Sequence, residues 1–185
     1  MEKANLKTEN LKKEVIKIFK NHGLSNAHAI ISTKALINAE LVGAYGHGLS
    51  RLRMYCERIS KKVINPKPNI KVKKISQSIA HIDADNSIGF VAADLAIRKA
   101  IECAKKTGIG LVAVKNSGHY GLSGYYAEQA VKKNLITMIY TNAPPAIAPY
   151  GAKKSLFGTN PICFASPTGA KVPFILDTAI AKINR

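Results

Sequence analysis

Apolar residues recur at helical spacing through roughly the first sixty residues and at strand spacing in several stretches beyond them. Over residues 8–22, Leu11, Val15, Ile18 and Phe19 fall three or four apart and so share one helix face. Thr8 offers a cap at the start and Gly23 a stop at the end. A second helix is predicted after Ser25, carrying Ala27, Ile30, Ile31, Ala35, Leu36 and Ala39 before Gly43. A third is predicted over 49–61, with Leu52, Tyr55, Cys56 and Ile59 on one side. Residues 1–65 therefore read as a small N-terminal helical unit.

The texture then changes. INPKPNIKVKKISQSIAHIDAD holds two prolines and short alternating apolar runs, which predicts a linker and one or two edge-type strands. Gly89 introduces a long amphipathic helix to about Lys106, with Phe90, Ala93, Leu95, Ile97, Ala100, Ile101 and Ala104 as its apolar positions. GLVAV reads as a buried strand, 122–134 as a helix and LITMIY as another buried strand. Alternation of strands and helices implies an α/β layer with a partly parallel sheet over 66–185. Beyond Tyr140 the chain is irregular and rich in Pro, Gly, Ala and Asn, until VPFIL forms a last strand ending in Asp177.

Composition narrows the classes. With 46% hydrophobic and 21% charged residues among 185, the chain can bury a core and lacks the signature of disorder. The net charge of +17 would suit nucleic acid, but it is mostly lysine, and it is spread along the chain without an RNP-like motif or a Cys/His finger spacing. A solvated basic surface with weak attraction to polyanions is expected, and no specific nucleic-acid partner. Three distant cysteines, Cys56, Cys103 and Cys163, suit neither a disulfide framework nor a zinc ribbon, and no metal site is expected. The start is too charged for a signal peptide and no apolar run is long enough to span a bilayer, so a reducing cytoplasm fits.

Three stretches could carry chemistry. In GAYGHGLSRLRMY, the glycines around His47 free the backbone, and Arg51 and Tyr55 stack at i, i+4 behind the histidine. That arrangement could join a proton-transfer group to a cation for a carboxylate, or be a helix-start turn with a surface arginine. In NSGHYG, His119 lies at the carboxyl end of GLVAV, where open α/β sheets place ligands, and a nearby helix N-terminus could lower its pKa. On its own it also reads as a hydrogen-bonded turn histidine. In GTNP, the proline should hold Asn160 extended, presenting its amide, with Thr159 beside it, to a carbonyl or carboxylate. Asp177 could accept from a ribose hydroxyl or cap a turn. His22 and His28 flank helix boundaries and are expected to face solvent, and His81 has no such context. Neither GxGxxG nor a Walker loop is present.

AELVGAYGHGLSRLRMY, DADNSIGF, GIGLVAVKNSGHYG, YTNAPPAIAPYGAKK, LFGTNPICFASP and FILDTA, in that order, resemble the malate/L-lactate dehydrogenase family that includes ureidoglycolate, L-sulfolactate and 2,3-diketogulonate enzymes. The resemblance implies a non-Rossmann α/β fold, three layers around a mixed sheet, with a helical N-terminal unit, usually in a homodimer. It implies hydride transfer between NAD or NADP and a small 2-oxo or 2-hydroxy acid. By the same resemblance, the proton-transfer histidine corresponds to His119 in some members and to His47 in others. Arg51 matches an arginine near the substrate carboxylate, and Asp177, Thr178 and Ala179 match a cofactor-contacting Asp-x-Ala. Gly46, Tyr45 and Ala143 depart from the family pattern, which bears on substrate choice. Members continue well past this point, so the chain reads as C-terminally truncated. The competing expectation is a catalytically inert fragment or a subunit-interaction remnant.

Overall fold

Ser25 begins the second helix as its position predicts, its Oγ accepting from the His28 amide at 3.2 Å. The structure is a computed structural model and describes residues 7–180. In chain order it holds α1 (Thr8–Asn21), α2 (Asn26–Leu41), α3 (Leu52–Ser60), β1 (Lys71–Lys74), β2 (Ile79–Ser87), α4 (Gly89–Thr107), β3 (Leu111–Ser117), α5 (Ser123–Val131), β4 (Thr137–Tyr140), β5 (Ile162–Ser166) and β6 (Phe174–Thr178). Short 3₁₀ turns at Tyr45–His47 and Leu49–Arg51 lead into α3. The fold is α/β, built of helices and a mixed sheet, and it divides into two compact units, one ending at Leu122 and one beginning at Ser123.

In the first unit α1 packs on α2, α2 on α4, and α4 on β2 and β3. The sheet order is β1-β2-β3, with β1 antiparallel and β3 parallel to β2. The parallel pair is joined through α4, the crossover that parallel strands require. Its core includes Phe19, Leu36, Tyr55, Ile82, Ile88 and Phe90, all at most 2% exposed. α4 ends at Gly108, whose φ of 84° makes the left-handed cap that stops a helix. In the second unit β4, β5 and β6 form an antiparallel sheet with β5 at the centre, and α5 covers it through Ala127 and Val131 against Cys163, Ala165 and Ile139.

Several expectations need correction. Lys7, not Thr8, is the N-cap of α1, and no side chain bonds there; Thr8 is already helical. β2 is the central strand of its sheet, because Ala80, Ile82 and Ala84 bury one face while β1 and β3 take both edges. The strands read as buried from GLVAV and LITMIY are exposed edges: Leu111 is 59% and Met138 57% exposed. Apolar composition marked them correctly as strands, but among the described residues each pairs on one side only, β3 with β2 and β4 with β5. β5 lies inside the irregular, Pro- and Gly-rich stretch beyond Tyr140, where local spacing predicts no element. His22 and His28 are half-buried, His22 through an Nδ1 contact of 2.8 Å with the Ile18 carbonyl. All three cysteines are buried thiols.

Candidate active site

The glycine-rich turn after α2 is fastened by a carboxylate. Glu40 of α2 accepts from the Leu49 amide through Oε1 at 2.6 Å, and a Cβ on Gly48 would overlap that carboxylate, so a larger residue at 48 would displace the Glu40 side chain from this bond. Ser50 Oγ donates to the Tyr45 carbonyl at 2.6 Å, and Arg51 Nε to the Gly46 carbonyl at 2.8 Å. These bonds fold the turn so that the His47 ring and the guanidinium both stand exposed. Arg51 commits Nε to the backbone, which leaves the outer face of its guanidinium for an anion.

His119 follows the carboxyl end of β3, next to the end of its parallel neighbour β2. Gly89, the first residue of α4, lies so close to this loop that a Cβ there would overlap the carbonyl oxygens of Gly118 and His119. The His119 ring stacks on that of His47, with centroids 5.8 Å apart and planes 13° from parallel. Beneath it, Tyr55 of α3 is fully buried, its ring 4.7 Å from that of Phe90 and its hydroxyl 2.5 Å from His119 Nδ1. The Gly121 amide donates to the same Nδ1 at 3.3 Å, from a φ of 81° that glycine adopts without strain.

Electrostatics follow from that packing. Loss of water around the ring, then the positive charges of His47, Arg51 and Arg58, push the His119 imidazole down to about 4. His119 as a whole residue is nonetheless exposed, so the direction of the shift, toward neutral imidazole at ordinary pH, is what matters for chemistry. Within the second unit, Asp177 meets the first turn of α5, its Oδ2 accepting from the Gly124 amide at 2.8 Å. Burial raises the Tyr55 phenol well above its ordinary value and keeps it protonated.

A pH dependence of stability results. The folded-state pKa of His119 is depressed, and so is that of half-buried His28, through burial. Unfolding therefore takes up protons below the ordinary histidine pKa of about 6.5, and stability is lost as pH falls from there toward about 4. Thermal melts at stepped pH should show this decline, and His119→Gln should flatten part of it. An unchanged slope in that variant would contradict the shift.

In the second unit Asn160 departs from expectation. Its φ is 38°, not extended, and its Oδ1 accepts from the Ala143 amide at 2.9 Å. Asparagine tolerates the left-handed region, and here the side-chain bond fixes the loop around Ala143 while Nδ2 remains to donate. Thr159 accepts from the Ile180 amide through its carbonyl at 3.1 Å, and Thr178 pairs with Ile162, which brings Thr159 and Asn160 beside Asp177, Thr178 and Ala179. The predicted residues thus gather as two groups: His47, Arg51, Tyr55 and His119 in the first unit, and Thr159, Asn160 and Asp177–Ala179 in the second. Sequence reasoning missed Glu40, Gly89, Phe90 and Gly121. Only the glycine directly after a strand, in NSIGF, carried a signal.

The sequence model of the malate/L-lactate dehydrogenase family matches residues 6–185. This chain belongs to that family. The solved structure of sulfolactate dehydrogenase from Methanocaldococcus jannaschii superposes with a TM-score of 0.91 at 40% identity, covering 97% of this chain and 52% of that one. A (2R)-3-sulfolactate dehydrogenase (NADP(+)) from Chromohalobacter salexigens is 35% identical over 165 residues, 88% of this chain and 49% of the relative. A ureidoglycolate dehydrogenase (NAD(+)) from Escherichia coli O157:H7 is 34% identical over 145 residues, 78% of this chain and 42% of the relative. The chain spans about half the length of the relatives it matches. Among the described residues, no helix is long and apolar enough to cross a membrane.

Proposed function

We propose that this chain carries the proton-handling and carboxylate-binding residues of an NAD(P)-dependent 2-hydroxyacid dehydrogenase, acting on a small 2-oxo or 2-hydroxy acid of the malate, lactate, sulfolactate or ureidoglycolate kind, in a cytoplasmic homodimer. The observation that carries the reading is the stack of His47 on His119, with Arg51 close enough for its charge to act on His119. Two imidazoles and a guanidinium in one exposed cluster are what a 2-oxo acid needs: a cation for its carboxylate and a proton-bearing group for its carbonyl oxygen.

Arg51 pairs with the carboxylate through the outer face of its guanidinium and so fixes which carbonyl face is attacked. His119 or His47 holds or moves the proton at the substrate oxygen. Asn160 Nδ2 is an amide donor available to an oxyanion, with Thr159 beside it. When bound, a reduced nicotinamide supplies the hydride. The residues fit such a group at the end of β6: Gly124 takes one oxygen of Asp177, leaving Oδ1 to accept from a hydroxyl, and Thr178 and Ala179 follow on the same strand end. The family includes relatives named for NAD(+) and for NADP(+), so both cofactors belong to the reading.

The test is twofold. NADH and NADPH are titrated separately into the protein while its melting temperature is followed, and oxidation of each is then measured with a panel of small 2-oxo acids. Stabilisation of several degrees by one of them, with turnover of at least one acid, is the expected result. Neither stabilisation nor oxidation with any pair would sink the proposal.

A further inference from the structure

A backbone N–H can only donate, and the Gly121 amide points at His119 Nδ1. That nitrogen therefore carries the lone pair, and the ring hydrogen sits on Nε2. Tyr55, whose hydroxyl meets the same Nδ1, must then be the donor in that bond, the role its raised pKa also favours. We propose that Tyr55 is a positioning residue that holds His119 in its neutral, Nε2-protonated form, so that the site offers a substrate oxygen an N–H donor and not an imidazolium.

The surroundings support one tautomer over the other forms. Protonating Nδ1 would set a new N–H against two donors, of which the phenol can rotate to accept and the Gly121 amide cannot. The groups that face His119 are Tyr55 and Arg58 from α3, Arg51 from the turn before it, His47 from the glycine-rich turn and Gly121 from its own loop. None of these groups is acidic, so none of them compensates an imidazolium charge. Phe90 of α4 keeps both donors in register: its ring lies against Tyr55, and its Cε1 would come within 2.9 Å of any Cβ at Gly121. Tyr55 has no exposed surface, so it acts through His119 and not on substrate directly. A neutral histidine N–H aimed at a carbonyl is a known way to polarise it.

The tautomer does not depend on the proposed dehydrogenase activity; only its use on a 2-oxo acid rests on that reading. The chain is labelled with ¹⁵N-histidine and its imidazole nitrogens are observed by long-range proton–nitrogen correlation across a pH series. His119 should show a protonated Nε2 and an unprotonated Nδ1 at neutral pH. Tyr55→Phe, which keeps the ring and deletes the donor, should raise the protonation constant of His119 about three- to tenfold and populate the Nδ1-protonated tautomer. The wild-type spectrum decides the tautomer even if the variant fails to fold. A charged or Nδ1-protonated His119 in the wild-type chain at neutral pH overturns the proposal, as does a Tyr55→Phe variant with unaltered tautomer and titration. In the active holoenzyme, Tyr55→Phe should lower kcat more than it changes KM, and should add nothing further when His119 is already alanine.

Discussion

Replacing His119 by alanine should lower turnover of the active holoenzyme by about two to four orders of magnitude, the usual scale for loss of a group that donates to the reacting oxygen. The size follows from what the ring does alone: it is the group that both Tyr55 and Gly121 address, and its Nε2 is the atom left for substrate. His47→Ala is the necessary companion. The two rings stack, so either could reach the same oxygen, and the pair of variants separates them. A deep loss in one with a shallow loss in the other identifies which ring moves the proton, and near-normal turnover in both would remove the mechanism. Folding must be controlled, because alanine at 119 strands the buried Tyr55 hydroxyl, at a cost of about 1–3 kcal/mol. A melt and the KM for the 2-oxo acid supply that control. A positional defect lowers kcat in a protein that still melts cooperatively, whereas a folding defect lowers both.

That the two histidines share a site was only half legible in the sequence. Periodicity located α1, α2 and α4, and the strand runs located β3, β4 and β6, because local spacing encodes which face is apolar. It did not encode partners. GLVAV looks alike whether two neighbours flank it or one, so β3 was expected to be buried, and Leu111 is open. The chemistry shows the same division. His47 with Arg51, and His119 after its strand, were visible as local patterns, yet their stacking depends on α3 bringing Tyr55 under a loop 64 residues away. Nor did sequence distinguish a substrate-facing tyrosine from a buried one: the i, i+4 rule places Tyr55 behind Arg51 but says nothing about Phe90 covering it. Asn160 erred for a different reason. A proline after it favours extended backbone, and the bond from its own side chain to Ala143 outweighed that preference.

Gly89→Ala offers the sharpest check on how the His119 loop is held. On helix propensity alone the change should help, since alanine is favoured over glycine in helices by about 1 kcal/mol. The added methyl, however, would overlap the Gly118 and His119 carbonyl oxygens, and it would lie 2.6 Å from the His119 carbonyl carbon. Backbone atoms cannot rotate away as a flexible side chain can, so the loop or the first turn of α4 must move. Overpacking of this kind costs about 1–3 kcal/mol, which less the propensity gain leaves a net loss of up to about 2 kcal/mol and lowers the melting temperature by up to about 8 °C for a chain of this size. Gly46→Ala, where a Cβ meets nothing within 4 Å, is the matched control and should leave the melt nearly unchanged. The displacement should also reach the imidazole: a shifted His119 loop weakens the contacts from Tyr55 and Gly121 to Nδ1, and the histidine should titrate at higher pH in Gly89→Ala than in the wild-type chain. A variant that melts at or above the wild-type temperature with an unaltered His119 titration would show that α4 and the His119 loop do not touch as described. Destabilisation without a change in titration would mean instead that the first turn of α4 yields while the loop stays in place.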